Sequence, residues 1–319
     1  MTGRAVLLPA RPTAEQRSVL LDLVATAGES AGHPVLSEAQ RSALLGPSGT
    51  GDDEGTLIRA AVYDDRAVAS GRPLGMAQAL PAPPDGHFAV ELVVDPGAAE
   101  PVEVHTELLA AVDEQVARRG GGTVRVWATW ADGADDRWAH EAGFDHERDL
   151  LQLRCGLPLP PDGRPPLSTR PFRPGRDEEA WLRANNRAFA GHPEQGGWTL
   201  ATLRGREAAS WFDPAGFRLH DEGGTVAAWC WTKVHDRSDP PMGEIYVIGV
   251  DPDFQGRGWG RALTRAGLDW LAGAGLSVGM LYVDAANRAA VGLYRSLGFS
   301  ADHTDRAYRR VVAPKEPSG

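Results

Sequence analysis

The chain has 319 residues, 42% of them apolar, which suffices for two domains of ordinary size with a core in each. Lysine and arginine number 33 against 43 aspartates and glutamates, and a net charge of −10 argues against nucleic acid or an anionic membrane surface as the main partner. Cys155 and Cys230 make neither a disulfide framework nor a zinc pattern, and no stretch reads as a signal peptide or a spanning helix, so a soluble cytoplasmic protein is expected. The abundance of Ala, Gly, Arg and Pro points to a GC-rich bacterial genome.

In chain order, Thr13 to Gly28 has helical apolar spacing at Val19, Leu20, Leu23 and Val24, and Thr13 can cap it. Ser37 to Leu45 predicts a second, short helix, with Ser37 as cap and Gln40 completing a capping box. Gly46 to Gly55 reads as a loop. Thr56 to Tyr63, Gly75 to Leu80 and Phe88 to Val94 read as strands, the last stopped by Asp95-Pro96. Val102 to Arg118 predicts a helix and Thr123 to Thr129 a strand. Arg137 to Ala142 predicts a short helix ending at Gly143-Phe144, and Asp149 to Arg154 a closing strand.

From Cys155 to Pro166 prolines and glycines cluster and the apolar period is lost, as in a linker. The plan then repeats. Leu167 to Phe172 reads as a strand, Asp177 to Phe189 as a helix with Ala180, Trp181, Ala184 and Ala188 on one face, and His192 to Trp198 as a loop. Leu200 to Ala209 predicts a helix, and Phe217 to His220 with Val226 to Val234 a hairpin around Glu222-Gly223-Gly224. Val94-Asp95-Pro96 is answered by Val250-Asp251-Pro252 (250 − 94 = 156) and Ala142-Gly143-Phe144 by Leu297-Gly298-Phe299 (298 − 143 = 155). Two landmarks at nearly one offset argue for an internal duplication, with domains at 1–154 and 167–319 and a linker at 155–166.

Glu244 to Leu271 is where chemistry concentrates. Ile245 to Val250 is an almost wholly apolar run, as in a strand buried on both faces, and Asp251-Pro252 stops it. Gln255, Gly256, Arg257, Gly258, Trp259 and Gly260 follow, and then Leu263, Ala266, Gly267, Trp270 and Leu271 at helical spacing. Strand, glycine turn and helix make an anion site, because the first amides of a helix lack partners and glycines let the backbone curl toward a phosphate. Arg257 and Arg261 add charge there. The same residues also suit a tight turn whose glycines only relieve crowding. Neither GxGxxG nor a P-loop is present, since residue 263 is leucine and no Gly-Lys-Ser/Thr occurs.

The spacing resembles the acetyl-CoA signature of the GCN5-related N-acetyltransferases (GNAT), Gln/Arg-x-x-Gly-x-Gly/Ala, with Gln255, Gly258 and Gly260 at its fixed positions. A second piece follows in register: Leu281 to Phe299 reads LYVDAANRAAVGLYRSLGF, with Asn287, Ala290, Tyr294, Gly298 and Phe299 at the family's places. The resemblance implies an α/β (α+β) chain of two tandem GNAT-type acyl-CoA N-acyltransferase domains, each a mixed twisted sheet flanked by helices, with acetyl-CoA as cosubstrate and no metal. It places cofactor contacts at Ile248, Gly249 and Val250 on the strand, at Gln255, Gly256, Arg257, Gly258, Trp259, Gly260 and Arg261 on the turn, and at Asn287, Arg288, Ala289, Ala290, Val291 and Gly292 on the second helix. Trp259 departs from the pattern, where a smaller aliphatic residue is usual. In the first half, Gly97 to Val104 has no Gln-x-x-Gly-x-Gly, no arginine and two acidic residues, so that half reads as a degenerate copy with weakened or lost catalysis. Its Leu92, Val93 and Val94 still resemble the family's cofactor strand, which leaves cofactor binding there open.

Longer strings, HPEQGGW at His192 to Trp198, WCWTKVH at Trp229 to His235, and Leu36-Ser37-Glu38, resemble one tandem branch of the family. That branch acetylates the cysteinyl amine of 1D-myo-inositol 2-(L-cysteinylamino)-2-deoxy-glucopyranoside. The resemblance implies Glu244 as general base, Tyr294 as proton donor to the leaving thiolate, and a backbone amide near Val250, freed by a splayed strand with which Gly249 is compatible, as stabiliser of the oxyanion. It places Glu38, Glu194, Lys233, Glu244 and Tyr282 on the cysteinyl glucosaminyl-inositol. Cys230 reads as buried and inert. A monomer acting on a small molecule is expected. An acetyltransferase of protein N-termini or other small amines, and a non-catalytic acetyl-CoA-binding sensor, remain as alternatives.

Overall fold

The computed structural model describes residues 2–9, 12–45, 57–64, 71–82, 86–192, 195–236 and 238–315. The chain forms two compact units, Met1–Arg148 with Asp305–Gly319, and Asp149–Thr304. This division differs from the 1–154 and 167–319 expected from sequence, because two strands change allegiance along their length. The strand Ser300–Val312 passes its second half to the first unit, and the strand Asp145–Gly156 gives its second half to the second.

In the first unit β1 (Thr2–Leu7), β2 (Ile58–Asp64), β3 (Pro73–Ala82), β4 (His87–Val94) and β5 (Gly122–Ala128) lie side by side in that order. Among the described residues this half also has the helices α1 (Ala14–Ala31), α2 (Glu38–Leu45) and α3 (Pro101–Arg118), and α4 (Gly133–Glu141) follows β5. Thr13 caps α1 with Gln16 in a full capping box. At α2 the box is divided. Ser37 Oγ accepts from the Gln40 amide at 3.3 Å, but the Ser37 amide donates to Glu91 at 2.7 Å and not to Gln40. Val104, Leu108, Val112 and Val116 of α3, spaced at helical intervals, pack with Ala60, Val62, Val90 and Val124 of the sheet as one core. Leu20 and Leu23 of α1 close the other face with Met76 and Val93.

The second unit opens with the stretch of β6 (Asp145–Gly156) from Leu150 to Gly156, which pairs antiparallel with β11 (Val278–Asp284). Next to β11 come β10 (Met242–Val250), β9 (Thr225–His235), β8 (Phe217–Glu222) and the two-residue β7 (Arg170–Pro171), far shorter than the strand expected at Leu167 to Phe172. The helices are α5 (Glu178–Ala188), α6 (Leu200–Glu207), α7 (Trp259–Gly273) and α8 (Arg288–Ser296). Cys155 and Gly156 are therefore strand and not linker, and the chain after them is pinned to α7: Arg265 donates to the Pro160 carbonyl at 2.9 Å, and Asp162 lies 3.3 Å from Arg261. The strand from Ser300, β12, had no counterpart among the expected elements; its Arg306 to Val312 segment pairs with β5.

Two layers cover the second sheet. On one face Leu263, Leu268 and Leu271 of α7 pack with Cys230, Ile245, Leu281, Val283 and Tyr294. Leu268 lies outside the helix face expected from sequence, whereas Ala266 and Trp270 are only half-buried. On the other face Trp181 of α5 meets Trp198, Phe217, Trp229 and Trp231 edge-on, and Phe217 stacks on Trp231 at 4.4 Å. Burying such rings stabilises by roughly 2–3 kcal/mol each from area alone.

Candidate active site

The site starts from a ladder that stops. β10 and β11 pair in parallel only at Met242↔Val278, Gly243↔Gly279 and Glu244↔Met280. Past that rung β11 continues along β6 to Asp284, and β10 continues along β9 to Val250. The two parallel strands thus part at Glu244. On the β9 side the register shifts between Ile245 and Val247, so Tyr246 is the extra residue of a bulge at the point of parting. Gly249 is not the bulge. It pairs regularly with Trp229, whose ring stands 2.4 Å from where a Cβ would be, so glycine is required there for close approach.

The parted edge offers amides. Asp251 donates its N–H to Ala227 across the β9 ladder, and antiparallel strands alternate, so the N–H groups of Val250 and Ile248 face the side that β11 has left. At the far end Gly256 (φ 79°) and Gly258 (φ 74°) take the left-handed conformation that turns the chain into α7. Gly258 is the N-cap, and no side chain caps the helix. Gly260 allows α7 to approach Leu293 of α8. Gln255 ties the turn to the strand by donating to the Val250 carbonyl at 3.3 Å. Arg187 of α5 braces it from outside, 2.8 Å from Asp253. The two arginines expected to add charge are partly spoken for. Arg257 lies against the stacked rings of Phe254 and Trp259, 5.2 and 5.1 Å from their centroids, and 3.5 Å from Glu222. Arg261 is shared between Asp162 and the Ser296 hydroxyl. The departure at Trp259 thus supplies one ring of the aromatic pair against Arg257.

Asn287 caps α8, its side-chain oxygen accepting from the Ala290 amide at 3.1 Å. Arg288, Ala289 and Gly292 are exposed on the first turns, while Val291 is core. Tyr294 is 7% exposed on the same helix. Burial, with the neighbouring Cys230 as a lesser cause, pushes its phenol up to about 12, so it is a proton donor throughout the neutral range. Cys230 is fully buried and its thiol is pushed up to about 12 by burial, which removes it as a nucleophile.

Glu244 and Tyr294 belong to opposite faces. Ile245 packs against Gly267 of α7, so Glu244, one residue earlier, points to the other face. Leu281 and Val283 lie in the α7 core, so Met280 and Tyr282 share the Glu244 face. Lys233, directly across from Glu244 on β9, completes the group. Glu244 is 8% exposed, and its Oε2 lies 2.7 Å from Nε2 of His235, a residue that sequence reasoning passed over although it stands two places from Lys233 on the same strand face. Lys233 is buried, its ammonium 4.8 Å from the Trp211 ring centroid and 5.6 Å from that of Tyr246. The Tyr282 ring is exposed and its hydroxyl accepts from Gln152 Nε2 at 2.7 Å. The 192–198 loop is tied to α5 through Asn186, which donates to the Trp198 carbonyl and accepts from its amide. Glu194 and the side chain of Glu38 lie outside the described residues. Among the described residues no cluster of three metal-ligating side chains occurs, and no helix is long and apolar enough to cross a membrane.

Residues 177–299 match the Acetyltransferase (GNAT) family. The chain is 45% identical over 312 residues to the mycothiol acetyltransferase of Thermobispora bispora, covering 94% of this chain and 98% of that one. It is 39% identical to the mycothiol acetyltransferase of Streptomyces coelicolor, covering 97% and 99% of the two chains. The chain belongs to the mycothiol acetyltransferase family. Its fold is similar to that of a GCN5-related N-acetyltransferase from Sphaerobacter thermophilus (TM-score 0.72, 21% identity, 98% and 96% of the chains). It is also similar to a tandem GNAT protein from the clavulanic acid biosynthesis pathway (TM-score 0.65, 16% identity, 98% and 99%).

In this mycothiol acetyltransferase family member the first unit keeps the parted strands without the turn. β4 and β5 pair from His87↔Thr123 to Val90↔Val126 and no further, so Leu92, Val93 and Val94 run past the rung as Ile248 to Val250 do. The chain then closes on itself: Asp95 accepts from the Gly97 amide at 2.8 Å and binds Arg72. α3 begins with Glu100 as N-cap, Pro101 at its first position and Glu103 in its first turn. Carboxylates there face the end of a helix that an anion would need.

Proposed function

We propose that this protein transfers the acetyl group of acetyl-CoA to the cysteinyl amine of 1D-myo-inositol 2-(L-cysteinylamino)-2-deoxy-glucopyranoside, giving mycothiol and CoA. The observation that carries the reading is the parting of β10 and β11 at Glu244, which sets a buried carboxylate at the vertex and an uncapped helix end at the mouth. Acetyl-CoA supplies an activated acyl group and a thiol leaving group. The residues present fit it: the amides from Gly256 to Arg261 suit a pyrophosphate, the edge of Ile248 to Val250 suits an extended amide chain, and the exposed first turns of α8 at Asn287 to Gly292 suit its flank. The Val250 amide stabilises charge developing on the carbonyl oxygen. Glu244 takes a proton from the acceptor ammonium, whose reference pKa of about 7.7–8.0 asks for only a modest base. Tyr294 gives its proton to the departing thiolate.

The acceptor occupies the Glu244 face, beside Lys233 and Tyr282; Glu194 and Glu38 are further candidates from the family resemblance alone. In the first unit Leu92 to Val94 are the candidate contacts for a second cofactor. The protein acts as a monomer in the cytoplasm. The test is release of free CoA with this acceptor. Turnover with it and not with peptides supports the proposal; acetylation of peptides alone, or acetyl-CoA binding without transfer to either, sinks it.

A further inference from the structure

Glu244 has a partner that the reaction as written does not use. His235 ends β9 and stands opposite Met242, while Glu244 stands opposite Lys233, so the imidazole reaches diagonally across the ladder to Oε2 at 2.7 Å. An ionised carboxylate only accepts, so the proton between them sits on Nε2. The Glu244 side chain is 10% exposed and that of His235 is 30% exposed, so the carboxylate lies deeper than the imidazole that holds it. The end of β9 is fixed behind it by the Ser238 hydroxyl, which donates to the His235 carbonyl at 2.9 Å.

A carboxylate this deep loses hydration and needs a hydrogen-bond partner in its place. A donor on one oxygen supplies that partner and also fixes the side-chain rotamer. We propose that His235 is a positioning residue for the base: it holds Oε2 of Glu244 and presents Oε1 to the acceptor nitrogen. The proposal rests on the reading of Glu244 as base. In the step itself the acceptor ammonium loses one proton to Oε1, and the nitrogen lone pair so freed forms the new bond to the acetyl carbon as the carbon–sulfur bond breaks; the CoA sulfur takes the Tyr294 proton, the second proton of the nitrogen restores Tyr294, and the carboxylic acid later returns its own proton to water. The other charged or titratable groups facing the pair are Lys233 on β9, Tyr246 on β10, Tyr282 on β11, and Arg206 of α6, whose guanidinium lies 5.9 Å from the Tyr246 ring centroid.

The experiment measures CoA release with acetyl-CoA and the cysteinyl glucosaminyl-inositol from about pH 6 to about pH 10, the span over which a free amine titrates. His235→Ala, His235→Gln, Glu244→Gln and the Glu244→Gln/His235→Ala pair are compared with the wild type. His235→Ala is expected to lower kcat/KM for the acceptor roughly tenfold near neutral pH. KM for acetyl-CoA stays unchanged, which also reports an intact fold. His235→Gln, whose amide can donate from the same place, recovers most of the rate, and His235→Ala costs nothing further once Glu244 is Gln. A wild-type profile in His235→Ala beside an impaired Glu244→Gln overturns the positioning role alone, as does multiplicative loss in the pair. A fully active Glu244→Gln overturns the base reading and this inference with it.

Discussion

Count back three residues from the valine before each Asp-Pro stop, and the two units show the same rung built from different chemistry. In the first, Arg59, Gln78 and Glu91 stand side by side across β2, β3 and β4. In the second, Phe217, Trp231 and Val247 stand across β8, β9 and β10. The first row is a polar network: Arg59 donates to Gln78 at 2.8 Å, Gln78 donates to Gln40 at 2.8 Å, Gln40 reaches the Ala89 carbonyl at 2.9 Å, and Glu91 holds the start of α2. The second is a stack of rings. One backbone plan tolerates both because the strands fix only spacing and direction, while the face is filled by whatever satisfies itself. The difference matters downstream. The copy with the aromatic floor also keeps the open glycine turn, and the polar copy has closed its turn with Asp95.

The comparison is broken or sharpened most strongly at Glu244. Glu244→Gln should cost on the order of 10²–10⁴ in kcat near neutral pH and progressively less above the amine's pKa. The last rung of the first unit's ladder is Val90, and the carboxylate next to it, Glu91, is taken by the Ser37 amide. A pH-independent loss in Glu244→Gln would show that the vertex is not where the two copies diverge in function. In urea unfolding, Trp231→Ala should cost about 3–5 kcal/mol, and Gln78→Ala about 1–3 kcal/mol through the partners it strands. Equal losses would mean that the polar row is as much a core as the aromatic one.

Tyr294→Phe should lower kcat roughly tenfold and leave KM for acetyl-CoA unchanged. Because burial holds the phenol at about 12, its ionisation gives no activity limb in the neutral range; a Tyr294-dependent limb near pH 8 would contradict that. Gly258→Ala, at φ 74°, should raise KM for acetyl-CoA several-fold and cost about 1 kcal/mol. Gly97→Ala in the first unit should stay within about 0.5 kcal/mol. The smallest effect concerns acid. Burial raises the Asp177 carboxyl, but Arg173 and Arg170 overcome this and hold it at about 2. Stability from this group is therefore present above its unfolded value and is lost as pH falls toward about 2. Asp177→Asn should flatten the second unit's acid-unfolding curve over that window, and an unchanged curve would remove the cluster from the account.

Much of the site could be read along the chain because its parts are local. The Gln255 to Gly260 spacing, the Asn287 cap and the stop at Asp251-Pro252 each depend on neighbours within one or two turns, and helix capping and proline chemistry act over that range. The cap at Thr13 was legible for the same reason, whereas the capping box at Ser37 was half right, since a carboxylate fifty-four residues away took the second bond. The sequence shows Gly249 only as compatible with a splayed strand; that the ring of Trp229 excludes a side chain there, and that the bulge lies at Tyr246, comes from the structure. Trp259 stood out as a departure, but the Arg257 that lies against it and Phe254 came only with the coordinates.

By itself the sequence determined the duplication, the glycine turn, the pairing of Glu244 and Tyr294 with a two-motif pattern, and the eroded copy at Gly97 to Val104, because these are properties of spacing and residue type. Tertiary structure decided which edge received the end of β12, where β10 and β11 part, that Glu244 and Tyr294 point to opposite faces, and that His235 meets Glu244. Each of these depends on which strand lies beside which, and strand pairing is settled by backbone hydrogen bonds between residues distant in the chain, whose register no local pattern encodes.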